Sequence, residues 1–231
     1  MDSTFKKIHL LGLAPSAIAL QLSLLQERYG ECEFHIYKNI QVSKSPDFRI
    51  NSEAYRINIH PVGIFPEFDG HPSDLLLFGV PDPKAKEIVL NYFNQSEGCK
   101  QNNYHTFIHS GAYVSLEVEL DHGIFVEPEV VISTQTTIEF GVNIKRGVLV
   151  GHHNHVGKFC EINPGVILSG NVTVGEKTVI GSGTVVRDGV SIGANTVIGM
   201  GSNVLSDIPA GSVAYGNPCR VVKTNKRSDK S

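Results

Sequence analysis

The chain has 231 residues, enough for one large or two small domains. Its 41% hydrophobic and 19% charged residues are ordinary for a globular protein, and a formal net charge of −3 argues against a nucleic-acid-binding surface. Cys32, Cys99, Cys160 and Cys219 form no C-x-x-C pair, which points to a reducing compartment, the cytoplasm, rather than a disulfide framework.

The first hundred residues alternate strand and helix. MDSTFKKIHLLGLAPSAIAL has a basic patch and an apolar run, but Pro15 interrupts the run and no small-residue cleavage site follows, so a strand entering a helix fits better than a signal peptide. A strand is expected over Lys7–Leu13. A helix is expected over Pro15–Tyr29, opened by Pro15 and stopped by Gly30. A second strand follows at Glu33–Tyr37. Asn39–Ser73 is loop-rich, with Pro46, Pro61, Pro66 and Pro72 and room for one or two short strands. Leu75–Gly79 reads as a buried parallel strand. Pro83–Asn94 reads as a helix with Ile88, Val89, Tyr92 and Phe93 on one stripe. Gln95–Asn103 is a polar linker. This pattern predicts a small parallel α/β domain over residues 1–103. No stretch approaches eighteen uninterrupted apolar residues, so no membrane span is expected.

From Ile108 to Val204 the pattern changes. Every sixth residue is Ile, Leu or Val, through seventeen consecutive hexads. Neither a helix nor a plain strand has that period. A hexapeptide repeat marks a parallel β-helix, in which eighteen residues close one triangular coil and the aliphatic residues stack into a continuous core. Five to six coils are expected, without an interrupting loop. The residue after the aliphatic is Gly at 151, 157, 175, 181, 193 and 199 and Asn at 163, which reads as the backbone freedom a sharp corner needs. The fourth residue after it is usually small or β-branched, with Asn154 the exception. The prism is assigned to 104–223, with a frayed basic tail over 224–231.

Chemistry concentrates at Gly151-His152-His153-Asn154-His155, where three histidines fall within four residues. Imidazole is the side chain best suited to take a proton near neutral pH. Three imidazoles can also bind zinc, but neighbours on one short segment alternate faces and do not converge on one ion, so no metal is assigned. Cys160, at the small-residue position, reads as core rather than nucleophile.

The run Ile108–Lys223 resembles the hexapeptide-repeat acyltransferases of the left-handed β-helix class. With the α/β domain before it, the whole chain resembles the sialic acid O-acetyltransferase-like, bacillosamine and perosamine N-acetyltransferase family. The motif that carries the likeness is His152-His153-Asn154-His155-Val156-Gly157-Lys158-Phe159-Cys160-Glu161-Ile162-Asn163-Pro164-Gly165. The resemblance implies a catalytic base at His152. The position that orients it, often acidic in the family, is His153 here, and the family's frequent second histidine is Glu161. It implies acetyl-CoA as cosubstrate, held by backbone near Gly170, Gly181, Ser182 and Gly199. The closing segment Tyr215-Gly216-Asn217-Pro218-Cys219-Arg220-Val221-Val222-Lys223 resembles the family's last motif, and the resemblance implies Arg220 and Lys223 as candidates to face the coenzyme phosphates.

The resemblance further implies a homotrimer and a sugar or nucleotide-sugar acceptor used in surface glycan synthesis. Family members cradle the nucleotide in a Gly-rich turn; here that turn is Leu11-Gly12-Leu13-Ala14-Pro15-Ser16, and the acids after the second strand are replaced by Lys38-Asn39. Gly12, Ser16, Lys38 and Gly79 are therefore the candidate acceptor-binding residues. The implied reaction is direct acyl transfer: His152 takes the acceptor's proton as it attacks the thioester. N-transfer leads, O-transfer to a sugar hydroxyl is the alternative, and a non-catalytic scaffold is the reading from another class.

Overall fold

The computed structural model describes residues 5–39, 54–66 and 74–225, and the basic tail beyond Asn225 lies outside them. The chain divides into two compact units, Met1–Thr106 and Phe107–Ser231.

The first unit contains β1 (Lys6–Leu11), α1 (Pro15–Tyr29), β2 (Cys32–Tyr37), β3 (Arg56–His60), β4 (Leu75–Phe78) and α2 (Pro83–Phe93). The strands form one sheet in the order β3-β2-β1-β4, every pair parallel. Leu75–Phe78 is buried throughout, as a strand covered on both faces must be. Pro15 opens α1 at the first turn, and Gly30 ends it with φ 78° and its amide donating to the Gln26 carbonyl. Asp82 caps α2 by accepting from the amides of Lys84 and Ala85, each at 3.1 Å. The expected stripe on α2 needs one correction. Val89 and Phe93, four residues apart, are buried, but Ile88 is 55% exposed because it lies a quarter-turn off that face. The polar linker winds into two short 3₁₀ turns, Glu97–Cys99 and Gln101–Asn103. Tyr104 then bridges Leu76, and its ring stacks on Phe78 at 4.4 Å. Of the loop-rich stretch, β3 is the strand among the described residues; Pro46 and Pro72 lie outside them.

Three histidines meet across this sheet. His9 on β1 pairs in register with His35 on β2, and their rings stack at 5.3 Å. His35 Nδ1 lies 3.1 Å from His60 Nε2. Tyr37 stacks on His60 at 4.4 Å, and its hydroxyl meets His9 Nδ1 at 3.1 Å. Burial pulls the His9 pKa down to about 4, and the facing His35 adds to the shift against the opposing pull of Asp74. His105 is pulled to about 4, chiefly by burial and then by Lys6. A lowered folded-state value means that the unfolded chain takes up protons first as pH falls through 6.5. The stability tied to neutral His9, about 3 kcal/mol, is therefore complete above pH 6.5 and lost by about pH 4. Thermal melts of the whole protein should show Tm dropping across that window, and His9→Phe should flatten part of the drop. An unchanged pH profile in the variant would remove His9 from the account.

The second unit is the prism. Each aliphatic residue of the six-residue series is the second residue of a two-residue strand, from Phe107–Ile108 to Asn203–Val204. Strands eighteen residues apart pair in parallel, as Asn143 pairs with Glu161 and Thr137 with His155. Three walls result. The first begins at Phe107–Ile108, the second at Tyr113–Val114 and the third at Glu119–Leu120. From Val126 onward the inward aliphatics are almost fully buried in one continuous core. The first wall is completed by Ser212–Tyr215 and, antiparallel to it, Arg220–Thr224.

The corner glycines need a different explanation from the one composition offers. From Leu120 to Ile198 the left-handed backbone falls three residues after each aliphatic, at Gly123, Gly141, Gly147, Gly165, Gly183, Gly189 and Gly201, and also at Glu129, Gln135, His153, Phe159, Asn171, Lys177 and Asn195. Positions 151, 157, 175, 181, 193 and 199 do not have positive φ. There the constraint is space. A Cβ on Gly151 would stand 2.6 Å from the Ser169 carbonyl oxygen, and one on Gly157 would stand 2.6 Å from the Glu176 nitrogen. The next coil passes too close for any side chain.

Asn154 fits the core position because its amide is fully used. Nδ2 donates to the Gly151 and Ser169 carbonyls at 3.0 and 2.9 Å, and Oδ1 accepts from the Val172 amide at 2.6 Å. At the same hexad position Thr178 and Thr184 donate to the Gly193 and Gly199 carbonyls. Cys160 is buried there too, its thiol 3.1 Å from the Gly175 carbonyl oxygen.

Candidate functional site

The His-rich segment forms the edge between the second wall, which ends at Val150, and the third, which resumes at His155. Gly151 lets the next coil pass close by, and His153 takes φ 57° to turn the corner. The turn places His152 and His153 side by side on the surface. Their Nδ1 atoms lie 2.9 Å apart with ring planes perpendicular. One of the two Nδ1 atoms must carry the proton. When His152 donates to His153, Nε2 of His152 is left as an acceptor pointing away from the pair. That is the tautomer a base needs; donation in the opposite sense, from His153 to His152, leaves the proton on Nε2 of His152.

The floor of the site is Gly170, one coil above His152, since Asn171 donates to the His152 carbonyl at 2.9 Å. A Cβ on Gly170 would stand 2.7 Å from His152 Nε2, 2.5 Å from its Cε1, and 2.6 Å from Asp188 Oδ2. Gly170 thus clears a small cradle between an imidazole from the coil before it and a carboxylate from the coil after it. Asp188 was not visible as a site residue in the hexad pattern. Once coils are known to hold eighteen residues, the spacing 152, 170, 188 identifies it.

The remaining expected residues are placed less compactly. His155 turns to Glu139, 3.1 Å from its Oε1, so it diverges from His152 and His153. Glu161 lies on the first wall, one wall further along the chain. It is 5% exposed, 2.5 Å from Lys145 Nζ, and accepts from Asn143 Nδ2 at 2.9 Å. Within one chain it is not brought to His152. Gly181, Ser182 and Gly199 lie on the edge between the first and second walls, so the second wall separates them from Gly170. The amides of Gly181 and Gly199 donate to the Ile198 and Ala214 carbonyls of the adjoining coil. Arg220 and Lys223 lie on the exposed last strand, opposite Tyr215 and Val213, and Arg220 folds back onto the Cys219 carbonyl.

In the first unit, Gly12 and Gly79 do meet, at the carboxyl ends of β1 and β4. The strand order turns there, since α1 leads β1 to β2 on one side while β4 lies on the other. Gly12 has φ 86°, and a Cβ on it would stand 2.7 Å from Val80 Cγ1; a Cβ on Gly79 would strike the Gly12 carbonyl. Their amides are already used: Gly12 donates to Tyr37, Gly79 to Leu11, and Ala14 to Gly79. Ser16 is exposed in the first turn of α1, and Lys38 follows β2 with its amide donating to His60.

The comparisons with known proteins agree with this architecture. A family model described as bacterial transferase hexapeptide (six repeats) matches residues 171–206. No curated protein matches the sequence. Among solved structures, the acetyltransferase domain of PglB from Neisseria gonorrhoeae superposes with a TM-score of 0.74 at 20% identity, covering 94% of this chain and 100% of that one. PerB from Caulobacter crescentus, solved with CoA and GDP-perosamine, gives 0.72 at 22%, covering 96% and 99%. WeeI from Acinetobacter baumannii gives 0.73 at 16%, covering 95% and 100%. The chain has the hexapeptide-repeat acetyltransferase fold. That fold is an α/β unit followed by a left-handed parallel β-helix, and the likeness extends over both units. No helix among the described residues is long and apolar enough to cross a membrane.

Proposed function

We propose that this protein transfers the acetyl group of acetyl-CoA to the amino group of a nucleotide-linked sugar, in the cytoplasm, for surface glycan synthesis. The observation that carries the reading is the His152–His153 pair facing the cradle over Gly170, on a fold shared with a structure that holds CoA and GDP-perosamine. His152 Nε2 takes a proton from the acceptor nitrogen as that nitrogen attacks the thioester carbonyl. The thioester is already activated, so no covalent enzyme intermediate is required. The thiolate of CoA leaves and recovers the proton from the imidazolium. His153 holds the tautomer that keeps Nε2 unprotonated at the start.

A second copy of the chain completes the site in this reading. Gly170 lies on one edge of the second wall and Gly181, Ser182 and Gly199 on the other, so a coenzyme groove using both sets draws them from two subunits. The outer face of that wall supports this. Tyr113, Val131, Leu149, Ile167 and Val185 form an exposed apolar column over five successive coils. A closed threefold assembly covers such a wall in every copy. Arg220 and Lys223 face the coenzyme phosphates, and Ser16 and Lys38 the nucleotide at the switch point of the sheet. The spent amides of Gly12 and Ala14 favour side chains over loop amides there.

Thiol release from acetyl-CoA, measured over a panel of nucleotide amino sugars and their hydroxy counterparts, tests the activity. Turnover with amino sugars alone is expected; release with the hydroxy sugars alone, or with none, overturns the reading. For the assembly, Ile167→Glu places a charge within the apolar column. Light scattering should show the wild type at three times 25.1 kDa and the variant as a monomer with its activity lost. A fully active wild-type monomer would overturn the intersubunit site.

A further inference from the structure

The carboxylate of Asp188 is assigned no role by the reading above, yet it borders the same gap over Gly170 as the His152 ring. Asp188 sits two coils beyond His152, and the residue between them in the stack is Gly170. One point above the Gly170 α-carbon lies 2.6 Å from Asp188 Oδ2 and 2.7 Å from His152 Nε2. A residue with any side chain at 170 would fill that point. A surface aspartate gains nothing by leaning over a bare backbone, whereas an acid and a base aimed into one gap form a pair of acceptors for one small donor.

We infer that Asp188 receives the acceptor's amino group and makes this site selective for an amine over a hydroxyl. The inference rests on the acetyl-transfer reading. A sugar amine arrives largely as an ammonium, with three donors and a charge; Oδ2 of Asp188 takes one N–H. The ammonium loses one proton to solvent to become the nucleophile. As the nitrogen–carbon bond forms, the nitrogen becomes positive again, and the carboxylate stabilises that charge until His152 Nε2 removes the second proton. The carbon–sulfur bond then breaks, CoA leaves as thiolate, and the imidazolium returns its proton to the sulfur. The products are the acetamide and CoA thiol, with one proton released to solvent. A sugar hydroxyl brings no charge on arrival and develops less positive character on attack, so it gains less from Asp188.

Two measurements test this. In the first, Asp188→Asn and Asp188→Glu are assayed with the amino sugar nucleotide that gives the highest turnover in the panel. Asp188→Asn should lower kcat/KM for that acceptor about 10- to 100-fold, the usual worth of a hydrogen bond to a charged group. The KM for acetyl-CoA should stay within about twofold, and Asp188→Glu should recover part of the loss. The second needs no acyl transfer. Imidazole NMR signals of His152 in the full-length protein are followed while ethylammonium chloride is added, with ethanol as the neutral counterpart at matched ionic strength. Ethylammonium should shift the His152 signals saturably in the wild type but not in Asp188→Asn, and ethanol should not shift them. An equal response in both proteins, or none in the wild type, overturns the role of Asp188. If ethylammonium binds through Asp188 yet no amino sugar is acetylated, the acetyl-transfer reading fails and the ammonium site stands.

Discussion

Replacing His152 by alanine should lower kcat by about a hundredfold or more while thermal unfolding stays where it was, as loss of a general base on a surface corner predicts. The side chain is exposed and its Nδ1 meets the exposed imidazole of His153, so its removal leaves no buried group unpaired. His153→Ala should cost less, roughly tenfold, because that ring acts by holding His152 rather than by meeting substrate. His155→Ala should cost little, since His155 is turned to Glu139. The assignment fails if His152→Ala keeps most of its activity while His155→Ala does not.

Gly170→Ala should be nearly as damaging to activity as His152→Ala, again without unfolding the prism. The added methyl group would stand 2.5 Å from His152 Cε1 and 2.6 Å from Asp188 Oδ2. Both are ends of side chains that can swing away, so the coil survives and the acid–base gap does not. Gly157→Ala is the instructive contrast. Its methyl group would meet the Glu176 nitrogen at 2.6 Å and the Glu176 α-carbon at 3.0 Å, and backbone cannot swing away. The cost falls on stability, about 1–3 kcal/mol, or several degrees of Tm. Measuring kcat and Tm side by side separates the two glycines. If Gly170→Ala lowers Tm as Gly157→Ala does and leaves kcat intact, the cradle is merely a packing feature.

The prism was legible in the sequence because its core demands one inward residue in six and nothing masks that demand. The role of its corner glycines was not. Sequence shows a glycine but not whether the cause is backbone angle or a neighbour's proximity, and here the two causes fall two positions apart, at 151 and at 153. His153 itself shows that the left-handed position does not require glycine. Asn154 looked like a break in the small-residue pattern, because two of its three hydrogen bonds go to residues fifteen and eighteen positions away, on the next coil. The histidines of the first unit were hidden for a related reason. His9, His35 and His60 become neighbours through the register of three strands, which spacing along the chain does not encode. In the proposed site, the histidine motif supplied the candidate base, and the glycine at 170 marked a place where something comes close. It did not reveal that the visitor was a side chain from each adjoining coil. Asp188 was one multiplication away, since the same period that located the core also stacks 152, 170 and 188.

The eighteen-residue coil also sets how a chain of this kind can change length. From Phe107 to Val204 each wall contact runs from one strand to the strand one coil later, so duplicating a whole coil restores each pairing and merely lengthens the column. An insertion of one residue within a strand would instead turn an aliphatic residue outward and a polar one into the core. Growth by gene duplication should thus proceed in steps of one full turn, or as loops extruded at the corners. Where a new turn enters matters as much as its length. A coil added between His152 and Asp188 would move the carboxylate out of reach, while one added beyond Asp188 would leave the pair as it stands. The stretch from 152 to 188 is a segment in which evolution can edit letters but not length.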